Sequence, residues 1–342
     1  MSGTLKSMWL VQPGQFELRE LPRYDVGDDE VLVRIAFVGI CPWDVRVYAG
    51  KSKVPLPRLM GHEASGRIVQ VGKDVRGLEG GQRVAADFIV KCGCCPNCRS
   101  GRPNRCQHPR FPNGAYQEFA VLPQRNIYPI HESTSFRAAA FTEPLSCVVR
   151  GQKALRLAPG QWELVLGAGP IGLMHMQVAR LYGARVIVAD LIDERLDLAR
   201  RLGADLVCNN ARANLKEVIL QATDGRGADA AVVAVGVSAL VVQAAECLAD
   251  GGRLNIFAGI YPAEPLGIDP NLVHYKELVL TGSADSAPED YVQALAHIEM
   301  GQVRVEELIS HVLPLEQLPE GFEMVTGRQG FKIMVQVGGD SV

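Results

Sequence analysis

The run Val165-Leu166-Gly167-Ala168-Gly169-Pro170-Ile171-Gly172 constrains this chain more than any other segment. Its spacing is G-x-G-x-x-G. It follows a strand candidate, Glu163 to Leu166, and opens a stretch in which Ile171, Met174, Val178 and Leu181 recur at helical spacing. A strand, a glycine turn and a helix in that order form a cradle for a dinucleotide. Gly167 permits the tight turn, Gly169 lets the backbone approach a pyrophosphate, and Gly172 lets helix and strand pack closely. The helix start, with Ala168, Pro170 and Ile171 in the same run, offers free N–H groups and a partial positive charge to the phosphates. Asp190 ends the next strand candidate, about 20 residues after the glycines, where a carboxylate accepts hydrogen bonds from the ribose hydroxyls and repels a 2′-phosphate. The motif therefore predicts NAD rather than NADP. Arg195 is the nearby group able to accept a phosphate instead.

The surrounding pattern agrees with an α/β unit. Arg185 to Ala189, Leu206 to Cys208, Ala230 to Val235, Arg253 to Phe257 and Glu277 to Leu280 read as strands, and Asp193 to Leu202 reads as an amphipathic helix closed by Gly203. Alternating strands and helices predict a doubly wound parallel sheet. Upstream of about Ala138 the chain is β-rich. Val31 to Val38 and Gly66 to Gly72 read as short strands, separated by recurrent prolines and glycines. Beyond Ser283, Glu289 to Met300 reads as a helix, and Phe331 to Val337 as a terminal strand able to return to the first domain. With 342 residues, two domains are expected.

Composition narrows the class. Hydrophobic residues make up 47% and charged residues 21%, the balance of a soluble globular enzyme. A net charge of -3 with no basic stripe argues against nucleic acid as a partner. The longest apolar runs, such as Ala239 to Ala245, are far shorter than the ~20 residues that span a bilayer. Met1 to Leu10 lacks the apolar region of a secretory signal, so a cytoplasmic location is expected.

Of the nine cysteines, Cys92, Cys95, Cys98 and Cys106 form C-x2-C-x2-C-x7-C, with Cys94 left over. Four thiolates in one loop close a tetrahedral shell around zinc and leave no open position, which predicts a structural site. A DNA-contacting zinc ribbon is the rival reading. The nearby Arg99, Arg102 and Arg105 favour it, but they are few and lack aromatic interleaving. Further donors are scattered. Cys41 lies in Gly39-Ile40-Cys41-Pro42-Trp43-Asp44, an imidazole and a carboxylate in Gly61-His62-Glu63, and another carboxylate in Thr142-Glu143-Pro144-Leu145-Ser146. A catalytic zinc takes three protein ligands and one open position, but spacing alone does not join these segments.

Taken in order, G-x-C-x-x-D, G-H-E, the four-cysteine lobe, E-P-L-S and G-A-G-P-I-G resemble the medium-chain zinc alcohol dehydrogenases, in the polyol (sorbitol-type) and threonine dehydrogenase branch. The resemblance covers nearly the whole chain. It implies a GroES-like β-barrel catalytic domain over 1–140, carrying the structural zinc lobe and completed by 285–342, and a Rossmann-like cofactor domain over 141–284. The active site is expected in the cleft between lobes. Cys41 and His62 become ligands of a catalytic zinc, with Glu63 or Glu143 as the third. Asp44 is expected to orient those ligands. Two zinc ions per subunit, NAD and a homo-oligomer, tetramer before dimer, follow from the same likeness.

The chain departs from the family at one functional position. Where a serine or threonine usually relays the alcohol proton, this sequence has Trp43, and where a histidine follows, it has Arg46. An indole cannot accept a proton, so Trp43 is expected to line the substrate pocket and donate one hydrogen bond. The proton route then falls to zinc-bound water or Glu63. Arg46 is either a grip for an anionic substrate group or an exposed surface arginine. The expected reaction is hydride transfer between NAD and a secondary alcohol or ketone on a small polar molecule: a polyol, cyclitol, sugar derivative or hydroxy amino acid. The alternatives are a zinc-free quinone or enone reductase and a non-catalytic NAD-binding protein.

Overall fold

The computed structural model describes residues 4–338. The chain forms two compact units, Met1–Pro144 with Ala287–Val342, and Leu145–Ser286. The outer bounds expected at 1 and 342, and the start of the Met1 to Leu10 segment, lie outside the described residues. In chain order the strands are β1 (Thr4–Gln12), β2 (Gln15–Pro22), β3 (Glu30–Gly39), β4 (Arg58–Leu59), β5 (Glu63–Val71), β6 (Arg83–Asp87), β7 (Phe119–Pro123), β8 (Ile127–Pro129), β9 (Trp162–Leu166), β10 (Arg185–Asp190), β11 (Leu206–Asn209), β12 (Ala228–Val233), β13 (Leu248–Ile256), β14 (Val279–Gly282), β15 (Ile309–Pro314) and β16 (Lys332–Gln336). The helices that matter for function are α1 (Pro42–Tyr48), α2 (Pro96–Arg99), α3 (Phe136–Ala139), α4 (Thr142–Leu155), α5 (Pro170–Leu181) and α6 (Asp193–Leu202). Among the described residues, no helix is long and apolar enough to cross a membrane.

The first unit is organised by β3, which pairs antiparallel with β5 and also with β7 and β16. Its sequence, EVLVRIAFVG, is apolar almost throughout, as a strand covered on both faces must be. The interruption in its alternation has a physical cause. The register against β5 shifts between Ile35 and Phe37, so successive residues there no longer swap faces regularly. Val33, Ile35, Val38, Ile68, Tyr116, Phe322 and Ile333 belong to one buried apolar cluster. The C-terminal strand β16 joins β3 with Met334 opposite Gly39, which carries Lys332 to the end of β3 where the metal-ligand candidates begin.

The second unit is a six-stranded parallel sheet of order β11-β10-β9-β12-β13-β14. The order reverses between β9 and β12, and in such sheets ligands bind beyond the carboxyl ends of the strands at that point. The glycine turn starts where β9 ends. The strand read at Glu277 to Leu280 is instead Val279–Gly282. Glu277 has a φ of +51°, a turn conformation that delays the strand by two residues. β14 is the sheet edge, with Val279 and Leu280 exposed.

Four polar side chains sit inside this second unit. Gln152 on α4, Glu163 on β9, His175 on α5 and Asn255 on β13 are all fully buried. Gln152 Nε2 donates to Glu163 Oε1 over 2.7 Å and lies 3.0 Å from His175 Nδ1. Asn255 donates to the carbonyl of Gly151 and to Ser283 Oγ.

Candidate active site

Cys41 stands just before α1 with an extended backbone, and Pro42 then starts the helix at a position where a missing N–H costs nothing. His62 and Glu63 lie where the chain enters β5. These turns bring one thiol, one imidazole and one carboxylate together, with their ligand atoms all within 4.8 Å of one another. Glu143 is buried at the start of α4 but falls outside this converging set.

The surroundings fix the three groups. Asp44 is fully buried, with Oδ2 3.6 Å from His62 Nδ1 and accepting from Tyr116 Oη over 3.3 Å. It is placed to orient the imidazole rather than to join the set. Lys332, buried on β16, pairs with Glu63 Oε2 and donates to the carbonyl of Ile40 over 3.1 Å. Gly39 is required here. A Cβ on it would lie 2.1 Å from Glu63 Oε2 and 2.8 Å from Lys332 Cε, so any side chain would drive the pair apart.

Burial pushes the Cys41 thiol and the Asp44 carboxyl above their ordinary ranges. It pulls on His62 in the opposite sense, yet Asp44 and Cys41 outweigh it and hold the imidazole well above its usual value. Cys41, Asp44 and His62 thus form one buried set whose charges act on one another. Thiolate, imidazole and carboxylate are the donors zinc takes, and three of them leave a fourth position open. The residues present fit a zinc ion.

Trp43 is half-buried and presents its ring edge-on to His62, with centroids 6.1 Å apart. Arg46 is half-buried on α1 rather than exposed. Sequence reasoning missed Lys332 and Tyr116. A lysine opening the strand K-I-M-V-Q gives no sign that it will meet Glu63, because that meeting depends on the pairing of β16 with β3.

The second set, Cys92, Cys95, Cys98 and Cys106, also converges within 4.8 Å. Backbone amides point at the sulfurs. Cys92 N donates to Cys106 Sγ and Cys95 N to Cys92 Sγ, both over 3.3 Å, and Gln107 N donates to Cys95 Sγ over 3.4 Å. The amides of Cys94 and Cys95 draw the Cys92 thiol down toward its thiolate form. Four such sulfurs fit a structural zinc with a closed shell.

In the second unit, Gly169 precedes α5, and a Cβ there would meet nothing within 4 Å, so the approach to the helix N-terminus is open. At Gly172 a Cβ would lie 1.7 Å from the carbonyl oxygen of Gly167, which makes glycine obligatory for the turn. Ala168 N donates to Asp190 Oδ2 over 2.7 Å, while Leu191 N and Ile192 N donate to Oδ1. The Asp190 carboxylate is thereby fixed at the end of β10, beside the glycine turn. Arg195 is half-buried in the first turn of α6. An open helix N-terminus and a fixed carboxylate fit a nicotinamide dinucleotide.

Comparison with known proteins agrees with this geometry. A model of the alcohol dehydrogenase GroES-like domain matches residues 27–132, and one of zinc-binding dehydrogenases matches residues 170–300. The chain is 30% identical to D-arabitol-phosphate dehydrogenase of Enterococcus avium over 98% of each chain. Among solved structures, a zinc-binding dehydrogenase of Sinorhizobium meliloti 1021 bound to NADP superposes with a TM-score of 0.92 at 27% identity, covering 98% of this chain and 100% of that one. An alcohol dehydrogenase of E. coli CFT073 complexed with NADH gives a TM-score of 0.90 at 28% identity, with the same coverage. The chain belongs to the medium-chain zinc-dependent alcohol dehydrogenase family, in the branch of polyol and threonine dehydrogenases. It is an oxidoreductase acting on CH–OH donors, with a GroES-like domain, a Rossmann-like parallel sheet, zinc and a nicotinamide cofactor.

Proposed function

We propose that this enzyme oxidises a secondary hydroxyl on a small polar molecule, or reduces the matching ketone, with NAD as the hydride partner. The substrate classes that suit it are polyols, cyclitols, sugar derivatives and hydroxy amino acids. The observation that carries the reading is the convergence of Cys41, His62 and Glu63 with one coordination position left over. We assign these three residues to the catalytic zinc and place Glu143 beside it, outside the inner set. Zinc, when bound, supplies Lewis acidity toward the substrate oxygen, and NAD supplies the hydride acceptor.

The chain's own residues do the rest. Asp44 holds the His62 ring in orientation. Lys332 engages Glu63 Oε2 and so holds the carboxylate in place beside Cys41 and His62. Trp43 stands at the sequence position where the family has a hydroxyl relay, so the proton route falls to Glu63 or to water in the site. The unit Met1–Pro144 with Ala287–Val342 acts as the catalytic unit and Leu145–Ser286 as the cofactor unit, so the expected boundaries near 140 and 285 shift to 144 and 287. Clustered cysteines without a disulfide suit a reducing, cytoplasmic compartment. The unpaired edge at β14 suits a homo-oligomer, tetramer before dimer.

The test is optical. NADH formation is followed with zinc-loaded protein, NAD and a panel of polyols, cyclitols, sugar phosphates, hydroxy acids and β-hydroxy amino acids. The reading expects turnover on one class and its loss on metal removal. Turnover that survives chelation, or reduction of quinones instead, would sink it.

Cofactor choice has its own test. Asp190 ends β10 beside the glycine turn, where a carboxylate disfavours a 2′-phosphate, and three amides hold it in place. Asp190→Ser keeps an acceptor and removes the charge. It should lower the ratio of kcat/KM for NAD over that for NADP by about 100-fold, or roughly 2.7 kcal/mol. An unchanged ratio would move the discrimination elsewhere.

A further inference from the structure

The segments that carry Cys41 and His62 meet on one fully buried side chain, Tyr116. Its ring lies beneath the turn before His62. Gly61 has a φ of +90°, and a Cβ there would stand 3.1 Å from three atoms of the Tyr116 ring. Backbone bonds hold the two stretches together. Ala115 N donates to the carbonyl of Gly61 over 2.9 Å, and Tyr116 N to that of Met60 over 3.0 Å. At the far end of the ring the hydroxyl lies 3.3 Å from Asp44 Oδ2 and 3.4 Å from the carbonyl oxygen of Gly39. Among the described residues this hydroxyl is the one hydrogen-bond donor to the Asp44 carboxyl, whose Oδ1 has no partner. Asp44 in turn faces His62 Nδ1 at 3.6 Å, beyond ordinary hydrogen-bond length. A carboxylate that far from the imidazole is steered by whatever else holds it, and a tyrosine pinned by its own backbone is a rigid hold.

We propose that Tyr116 is a positioning residue of the catalytic centre, acting through Asp44 to set the orientation of His62 toward the metal. The inference rests on reading Cys41, His62 and Glu63 as zinc ligands. The Tyr116 hydroxyl bonds to none of these three. It donates to Asp44 and fixes the plane of that carboxyl, and the carboxyl fixes the imidazole. Partners one step behind metal ligands carry about 10- to 100-fold in metal affinity or activity. Phenylalanine at this position keeps the ring beneath Gly61 and its edge contact with Phe322, and loses the hydroxyl alone. Asp44 is then left without a hydrogen-bond donor, free to turn about its own side-chain axis, and the imidazole loses its fixed guide.

The experiment uses the full-length holoenzyme and Tyr116→Phe, with Tyr48→Phe as the control. Tyr48 packs on the same Phe322 ring, and its hydroxyl donates to Glu323, so the control makes the same chemical change in the same cluster away from Asp44. Cobalt(II) replaces zinc, and the visible bands that Cys41→Ser lacks are assigned to the catalytic site. Tyr116→Phe should shift those bands and bind the catalytic zinc about tenfold more weakly in competition with a chelator. On the panel substrate that turns over, kcat should fall about tenfold with KM little changed. Tyr48→Phe should match the wild type throughout. Adding Tyr116→Phe to Asp44→Asn should leave the bands and kcat where Asp44→Asn alone puts them, because the hydroxyl acts through that carboxyl. This comparison holds even where the single variant does not fold, since no buried charge is left unpaired. Unchanged bands and zinc affinity in Tyr116→Phe, equal shifts in the two tyrosine variants, or additive effects with Asp44→Asn overturn the proposal. Wild-type protein without the Cys41-dependent bands overturns instead the ligand assignment on which it rests.

Discussion

Replacing Cys41 by serine should cut turnover about 1,000-fold while leaving NADH binding unchanged. The expectation follows from where the residue sits. Cys41 is the only sulfur in the converging set with His62 and Glu63, and burial makes this a place where an uncompensated donor is costly. Losing it weakens a Lewis acid worth several kcal/mol to the reacting oxygen, and each 1.36 kcal/mol is a decade in rate. The cofactor cradle is built from other residues, Gly167 to Gly172 and Asp190, so a fluorescence titration with NADH should give the wild-type affinity. Elemental analysis should show the catalytic zinc lost and the lobe zinc kept. The same measurement separates the two glutamates. Glu63→Gln should lose that zinc, whereas Glu143→Gln should retain it, because only Glu63 converges with Cys41 and His62. Full activity in metal-free Cys41→Ser protein would remove zinc from the mechanism.

What could be read in the sequence was whatever is local. The glycine turn, the helix behind it and Asp190 lie within one strand–helix–strand unit, so spacing alone carried the inference. The four-cysteine lobe is confined to one loop and was legible for the same reason. The catalytic donors were different. Cys41 and His62 come from segments with nothing in their spacing to join them, and only likeness to a family related them before the fold did. Even then the choice between Glu63 and Glu143 stayed open, because it depends on how β5 and α4 are placed. Lys332 lies 269 positions beyond Glu63, and its role comes from a strand pairing. Glu163 was hidden for another reason. In W-E-L-V-L a lone glutamate reads as the polar member of an alternating strand, yet both faces of β9 are covered and the carboxyl is enclosed.

That enclosed carboxyl should make the protein lose stability as pH rises, and Glu163→Gln should abolish the loss. Glu163 is fully buried and accepts one hydrogen bond from Gln152, while its other oxygen has no partner. Burial pushes its pKa up to about 8 against that hydrogen bond. His175 offers no counter-charge, since burial drives it down to about 3 and it remains neutral. An unfolded glutamate titrates near ~4.3. Between these two values the folded chain keeps a proton that the unfolded chain releases, so stability falls as pH rises through the window. The contribution is fully present below the unfolded value and is lost as pH passes the folded one. His175 acts in the opposite sense, costing stability as pH falls below the ordinary imidazole range, but it is present in both proteins and cancels from their difference. Glutamine keeps the shape and the hydrogen bond to Gln152 without a proton to lose. At pH 5 the two proteins should unfold at nearly the same temperature. At pH 9 the variant should be more stable by about 3 kcal/mol, seen as a Tm about 5–10 °C higher. Melting curves that stay parallel from pH 5 to 9 would show that Glu163 reaches solvent or a cation and ionises at no cost to the fold.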